Sequence, residues 1–293
     1  MENTAKPGPD SACDICGSAE TQGLYVAYDR LASDQQAFTI AKCLGCGVLR
    51  TFPEMSDSDL SQFYPNDYWG EEPSEEWIKK SQAEKTAFLA KCSSSGQILD
   101  VGCGSGYFLR ALDEQKWDRF GVEIGREAVS AARMHLGEDH IVEGSLVGSG
   151  FDNENFDVIT FWSALEHMNH PSSALAEVHR ILRSSGRLIL QVPNGDSYQA
   201  SWFKGNWFAL DAPRHRYHFS KPVLERFLND NGFAIERITF ASREHNAHAL
   251  RQSLKSSFSR VPYLLIKPLT TPVDRLLSTL GRGATITLAA HKT

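Results

Sequence analysis

The stretch Ile98-Leu-Asp-Val-Gly-Cys-Gly-Ser-Gly-Tyr-Phe108 restricts this chain to few architectures. Apolar Ile98–Val101 reads as a strand, Gly102, Gly104 and Gly106 as a sharp loop, and Phe108–Gln115 as a helix. Three glycines in five residues let the backbone reverse at a strand end and approach a ligand closely. The same alternation continues. Strands are expected at Phe120–Ile124, Phe156–Phe161 and Gly186–Val192, separated by helices at Glu127–Leu136 and Ser172–Leu182. A helix at Lys221–Asn231 and strands at Ala234–Phe240 and Ala284–Ala289 follow. Such alternation predicts an α/β fold with a mostly parallel sheet covered on both faces, and ligands off the carboxyl ends of its strands.

Two cofactor classes use a glycine loop of this kind. A dinucleotide fingerprint needs G-x-G-x-x-G, but position 107 is Tyr and the observed spacing is G-x-G-x-G. Asp100, two residues before Gly102, would repel a pyrophosphate and suits the ammonium group of S-adenosylmethionine. Glu123, 21 residues after Gly102, ends the next strand, where a carboxylate can accept both ribose hydroxyls.

On these residues the chain resembles the class I S-adenosylmethionine-dependent methyltransferases over about residues 96–293. Asn155-Phe-Asp-Val-Ile-Thr160, Ala164-Leu-Glu-His-Met-Asn-His-Pro171 and Ile181-Leu-Arg-Ser-Ser-Gly-Arg-Leu-Ile-Leu-Gln-Val-Pro-Asn194 match later family segments. The resemblance implies a Rossmann-like, mostly parallel seven-stranded sheet. It carries the cofactor contacts to Asp100, Gly102, Gly104, Gly106 and Glu123, and further to Ile124, Ser145, Leu146 and Trp162. Ser145 stands where the family often has Asp to bind the adenine amino group.

Cys13-Asp-Ile-Cys16 and Cys43-Leu-Gly-Cys46 form two C-x2-C pairs, each followed by glycine. Two such knuckles present four thiolates, the set zinc prefers for structural sites. Two disulfides are the alternative. The first ten residues lack an apolar signal segment, so a cytoplasmic, reducing setting and hence zinc are expected. A module of this size has too little core to fold unaided, and metal binding would drive its folding. We divide the chain into a zinc ribbon (1–52), a linker and helical lid (53–95) and the methyltransferase domain (96–293). Ser56 or Asp57 starts a short helix through Tyr64, and Glu75–Lys91 reads as a second one. The ribbon, Phe63-Tyr-Pro-Asn-Asp-Tyr-Trp69 and Asp211-Ala-Pro-Arg-His-Arg-Tyr-His-Phe-Ser220 resemble a bacterial branch that includes sugar C-methyltransferases and relatives acting on saccharides or lipids.

His215-Arg-Tyr-His218 supplies the densest set of proton-transfer groups. In the sugar C-methyltransferases a His-x-x-Tyr-Phe-Ser segment provides acid and base; here His218 takes the Tyr position. His215 and His218 are therefore candidate catalytic residues, with a packed histidine pair as the alternative. His167 suits a structural hydrogen bond better than a substrate contact. Trp202, Phe203, Trp207 and Phe208, with Tyr68 and Trp69, either roof a pocket or pack under a long loop.

The charge balance is −6, from 30 Lys and Arg against 36 Asp and Glu. From Arg243 to Thr293 there are eight basic and two acidic residues, giving +6 there and −12 elsewhere. Residues 245–283 place basic groups beside Val261-Pro-Tyr-Leu-Leu-Ile-Lys-Pro-Leu269, which fits a peripheral membrane contact, a lipid-linked substrate, a helical cap or a dimer interface. Nucleic acid is an unlikely partner, because residues 1–50 hold six acids and four bases. The expected activity is methyl transfer to a small-molecule, saccharide or lipid-linked acceptor. An RNA methyltransferase and a non-catalytic S-adenosylmethionine-binding protein are the alternatives.

Overall fold

The computed structural model of the protein describes residues 12–31, 36–64, 72–240, 249–254 and 276–293. Its centre is a seven-stranded sheet. The strands are β4 (Gly96–Val101), β5 (Trp117–Glu123), β6 (Ile141–Glu143), β7 (Phe156–Trp162), β8 (Leu182–Pro193), β10 (Phe233–Thr239) and β11 (Thr285–Lys292). Their order is β10-β11-β8-β7-β4-β5-β6. The pairs from β8 to β6 are parallel, and β11 lies antiparallel between β8 and β10. The central strands are apolar because both faces are covered: Ile98, Leu99, Val158, Ile159, Leu188 and Leu190 are fully buried.

The chain crosses between these strands by helices α4 (Tyr107–Arg110), α5 (Arg126–Leu136) and α6 (Pro171–Ile181), while α8 (Lys221–Asp230) precedes β10. In α5 Ala128, Val129 and Ala132 face the core. Pro171 opens α6, where its missing N–H costs nothing.

The sequence reading overextends three helices. The helix expected at Phe108–Gln115 stops at Arg110. Asp113 ends it locally: its carbonyl accepts from the amides of Lys116 and Trp117, and its side chain accepts from the amide of Gln115. That Asx turn competes with helix continuation. The helix expected at Glu75–Lys91 divides at Gln82 into α2 (Glu75–Ser81) and α3 (Ala83–Leu89), and the one through Tyr64 is α1 (Asp57–Ser61). Strand β6 was not anticipated; it spans only three residues, with Ile141 alone buried.

A second sheet holds β1 (Thr21–Tyr28), β2 (Ala37–Cys43), β3 (Leu49–Phe52) and β9 (Tyr217–His218), all antiparallel in that order. The first three belong to the ribbon. The fourth comes from the histidine-rich segment more than 160 residues later, with Leu49 opposite His218 and Arg50 opposite Tyr217. The ribbon sheet is therefore completed by the larger domain. Its apolar residues Ala27, Phe38 and Ile40 share a core with Phe203, Trp207 and Leu210, which flank α7 (Tyr198–Phe203) or lie within it. Trp207 is fully buried and Phe203 nearly so, while Trp202 is exposed. Phe203 and Trp207 thus pack beneath the loop rather than roofing a pocket.

The strands β10 and β11 are joined by a long connection in which residues 249–254 and 276–279 are helical. Most of the 245–283 insertion lies outside the described residues, as do Tyr68, Trp69 and Val261–Leu269. No helix among the described residues is long and apolar enough to cross a membrane.

Candidate active site

Four sulfurs come together at the ribbon tip. The ligand atoms of Cys13, Cys16, Cys43 and Cys46 all lie within 4.8 Å of one another. Cys13 Sγ is 3.8 Å from Cys46 Sγ, and Cys16 Sγ is 3.6 Å from Cys43 Sγ. A tetrahedron with Zn–S bonds of about 2.3 Å has edges of about 3.8 Å. All four cysteines are free of disulfides. The knuckles close through Gly17 and Gly47, at φ +75° and +85°, whose amides donate to the carbonyls of Cys13 and Cys43. The hydrogen bond with Cys46 lowers the Cys13 thiol below its ordinary range, against the opposing effect of burial.

The glycine loop leaves the carboxyl end of β4 with Gly102, Gly104 and Gly106 at φ +70°, +53° and +76°. A Cβ at Gly102 would stand 2.8 Å from Ala164 Cβ, and one at Gly106 2.8 Å from Leu136 Cδ1. Asp100 is 3% exposed at the strand end and accepts a 2.6 Å hydrogen bond from Thr160 Oγ1. Burial raises its pKa to about 7, opposed by Thr160 and by the nearby charge of Lys85. Lys85, on α3, also lies 5.5 Å above the Trp162 ring. Glu123 ends β5 and binds backbone: Oε2 accepts from Gly104 N, and Oε1 from the amides of Ile124 and Gly125. These three amides fix the carboxylate beside the glycine loop. Leu146 and Trp162 are buried, whereas Ile124 and Ser145 are exposed.

A second cluster lies across the turn that follows β7. Ser163 adopts φ +57°, and the turn places Ala164 against Gly102 and Glu166 and His167 against the histidine-rich segment. Ligand atoms of Glu166, His167 and His215 lie within 4.8 Å of one another. The imidazoles of His167 and His215 meet edge to face at 4.5 Å. Both Glu166 oxygens are buried without a hydrogen-bond partner among the described residues, and burial raises this carboxyl to about 8. Burial therefore favours the protonated form of Glu166. His215 Nδ1 lies 2.9 Å from the carbonyl of Ala209, which can only accept, so Nδ1 donates and Nε2 keeps its lone pair. His215 Nε2 lies 3.9 Å from Asp211 Oδ2.

Asp211 is held by Arg214, which is fully buried and also pairs with Asp29 of the ribbon at 3.0 Å. Burial works against the Asp211 carboxylate, but the hydrogen bond and charge of Arg214 bring its pKa below the usual value. Burial lowers His215, with Asp211 acting in the opposite sense. The structure brings His215 to this cluster but sets His218 deeper, at 2% exposure, with ring centroids 6.4 Å apart. The sequence reading passed over Glu166 and Asp211 as site residues, although both stand in the segments quoted for the resemblance. Thr51 and Tyr64 carried no signal; Tyr64 Oη lies 3.3 Å from His167 Nδ1.

A glycine turn thus lies between two buried carboxylates at the carboxyl end of a parallel sheet, and the turn after β7 touches it through Ala164 while carrying Glu166 and His167 to His215. A family model described as "Methyltransferase domain" matches residues 69–238, more than half of the chain. The chain belongs to this methyltransferase family. It is 30% identical over 147 residues to the mitochondrial ubiquinone biosynthesis O-methyltransferase of Saccharomyces cerevisiae, covering 46% of this chain and 47% of that one. The match thus spans about half the length of that relative. Among solved structures, an S-adenosylmethionine-dependent methyltransferase from Mesorhizobium loti aligns with 73% of this chain and 100% of its own, at TM-score 0.52 and 17% identity. One from Archaeoglobus fulgidus aligns with 75% and 95%, also at 0.52 and 17%. These two share the fold.

Burial lowers both His167 and His218 to about 3. The unfolded chain takes up protons at these positions near the ordinary value of ~6.5. The pair's contribution to stability is therefore complete above about pH 6.5 and is lost as pH falls towards 3. Imidazole NMR titration should find both rings neutral from pH 8 down to about 4; a midpoint near 6.5 for either would contradict the burial argument.

Proposed function

We propose that the protein transfers a methyl group from S-adenosylmethionine to a small-molecule acceptor, with a saccharide or lipid-linked acceptor as the narrower expectation. The observation that carries this reading is the pairing of buried Asp100 with amide-anchored Glu123 around a three-glycine turn. The relatives named as ubiquinone biosynthesis O-methyltransferases support small-molecule chemistry. The donor set suits the cofactor: carboxylates face a sulfonium and its ammonium group, and a diol can bind Glu123. Gly102, Gly104 and Gly106 keep side chains out of the cradle, and Trp162 and Leu146 provide apolar walls. When bound, S-adenosylmethionine supplies an electrophilic methyl group.

His215 then removes the acceptor proton. Burial lowers its pKa, so at pH 7 it is neutral. Its Nδ1–H is committed to Ala209, leaving Nε2 as the base. Asp211, 3.9 Å from Nε2 and ionised beside Arg214, stabilises the imidazolium once formed. Protonated Glu166 adds a donor that can hold an acceptor oxygen. His218 has a packing role in this scheme, consistent with its depth.

The four cysteines suit one structural zinc ion, whose binding would hold β2 and β3 in the register that receives β9. Elemental analysis of metal-replete protein should find one zinc per chain, and chelation should unfold the ribbon. Protein that is metal-free yet keeps its near-ultraviolet dichroism would remove the metal site.

Calorimetry should detect S-adenosylmethionine and S-adenosylhomocysteine binding but no NAD binding. Asp100→Ala or Glu123→Ala should weaken the former more than tenfold; unchanged affinity in both would dispose of the proposed cradle.

Screening with methyl-labelled cofactor against catechols, nucleotide sugars and lipid extracts tests the activity itself. With an acceptor so identified, His215→Asn should lower kcat about 100-fold or more at nearly unchanged cofactor affinity. Its acid limb should also vanish, because wild-type rate falls as His215 gains a proton below ~6.5. Full turnover by folded His215→Asn would exclude His215 as the base. Cofactor binding with no methylation of any extract would favour a non-catalytic binding protein.

A further inference from the structure

Thr51 lies on β3, the ribbon strand that pairs with β9, and is 4% exposed. Its hydroxyl touches both histidines of the loop. Oγ1 is 2.6 Å from the backbone carbonyl of His215 and 3.2 Å from His218 Nε2. A threonine hydroxyl has one proton. The His215 carbonyl has none to give, so Thr51 must donate to it. Towards His218 the hydroxyl is then left only as an acceptor, and His218 must carry its proton on Nε2. His218 Nδ1 is consequently a bare acceptor, buried without a partner among the described residues.

The neighbouring contacts act on the same few atoms. The Thr51 amide donates to the Arg216 carbonyl at 3.0 Å, the His215 amide donates to the Asp211 carbonyl at 3.0 Å, and the Arg216 amide donates to the Glu166 carbonyl at 2.8 Å. His215 is thereby gripped at its amide by its own loop and at its carbonyl by the ribbon. The side-chain oxygen of Thr51 thus contacts both the backbone at His215 and the ring of His218.

We infer that Thr51 is a positioning residue of the methyl-transfer site, and that the ribbon acts in catalysis by holding the His215 backbone and the His218 ring through this single hydroxyl. The inference rests on the reading of His215 as the base. Displacement of a reacting group by about 1 Å can cost on the order of 100-fold in rate. A ribbon that supplies the strand under the base is therefore part of the active site. Loss of the hydroxyl also leaves a buried carbonyl and a buried imidazole N–H without partners, and the loop can satisfy them only by moving.

The test uses full-length, metal-replete protein with Thr51→Val, which keeps the shape of threonine, and Thr51→Ser, which keeps the hydroxyl. Thr51→Ala is a second hydroxyl-free variant should valine not fold. The readouts are the His218 Nε2–H proton signal and its exchange with water, and the pH titration of the His215 imidazole. None of these needs an acceptor or turnover. In wild type and Thr51→Ser the Nε2–H signal should be hydrogen-bonded and slow to exchange, with His215 titrating below 6.5. In Thr51→Val or Thr51→Ala exchange should accelerate at least tenfold, and the His215 midpoint should rise by about half a unit or more as the ring gains solvent. S-adenosylhomocysteine affinity should change less than twofold in every variant. Wild-type exchange and titration in a hydroxyl-free variant would overturn the inference. So would a serine variant behaving like valine, which would assign the effect to the methyl group. Failure of His215→Asn to slow methylation would instead remove the base assignment, leaving these spectroscopic results to stand or fall separately.

Discussion

The buried guanidinium of Arg214 governs the shape of the loop that carries the histidines. Bringing such a charge out of water costs several kcal/mol unless partners replace the lost hydration. Here Asp211 takes Nε and Nη2, Asp29 also takes Nη2, and the carbonyl of Phe63 takes Nη1. These partners come from the loop itself, the ribbon and the segment after α1. The pair cannot be broken in one place without exposing a charge in the others. Asp211 is at φ +36°, a strained value for a non-glycine residue, and Arg214 holds it there. The same carboxylate faces His215, so the structural ion pair and the proposed proton acceptor share one residue.

This dependence makes the ribbon and the larger domain parts of one construction. The first knuckle touches the larger domain directly: Asp14 Oδ2 accepts from the Ser172 amide, and the Ser172 hydroxyl donates to the Asp14 carbonyl at the start of α6. Val48, Tyr217, Phe219 and Val223 share the main core with Cys13 and Cys43. A four-residue strand such as β3 has little stability of its own, and β9 has only two residues. Each is an edge that the other covers, which removes an unpaired strand from solvent.

The parts legible in the sequence are those dictated by strong local signals. A run of apolar residues followed by glycines at Gly102, Gly104 and Gly106 has few conformations available, and the strand, turn and buried Asp100 appear where that pattern places them. Paired cysteines with following glycines are equally restrictive, and the four sulfurs converge as their spacing implies. Helix ends were less legible. Asp113 and Gln82 each turn the chain through a few local hydrogen bonds, and periodicity over ten residues does not register them. The β3–β9 pairing was invisible for a different reason. A two-residue strand has no alternation to read, and its partner lies more than 160 residues away.

The candidate site divides along the same line. Its cofactor side is local, since Asp100 and the glycines are contiguous and Glu123 ends the adjacent parallel strand with its Oε2 on Gly104. Its acceptor side is assembled from distant segments: Thr51 from the ribbon, Tyr64 after α1, Glu166 and His167 after β7, and Asp211 and His215 from the loop. Apart from His215, in the segment His215-Arg-Tyr-His218, none of these carries a distinctive spacing, because tertiary packing brings them together. Glu166 illustrates the point. In sequence it is an ordinary acid in a turn. Only its complete burial, with neither oxygen partnered among the described residues and ring nitrogens of His167 and His215 within 4.8 Å, makes it a carboxyl that favours its proton beside the histidines. The acceptor side of the candidate site therefore depends on the ribbon junction, where Thr51 reaches the His215 carbonyl and the His218 ring.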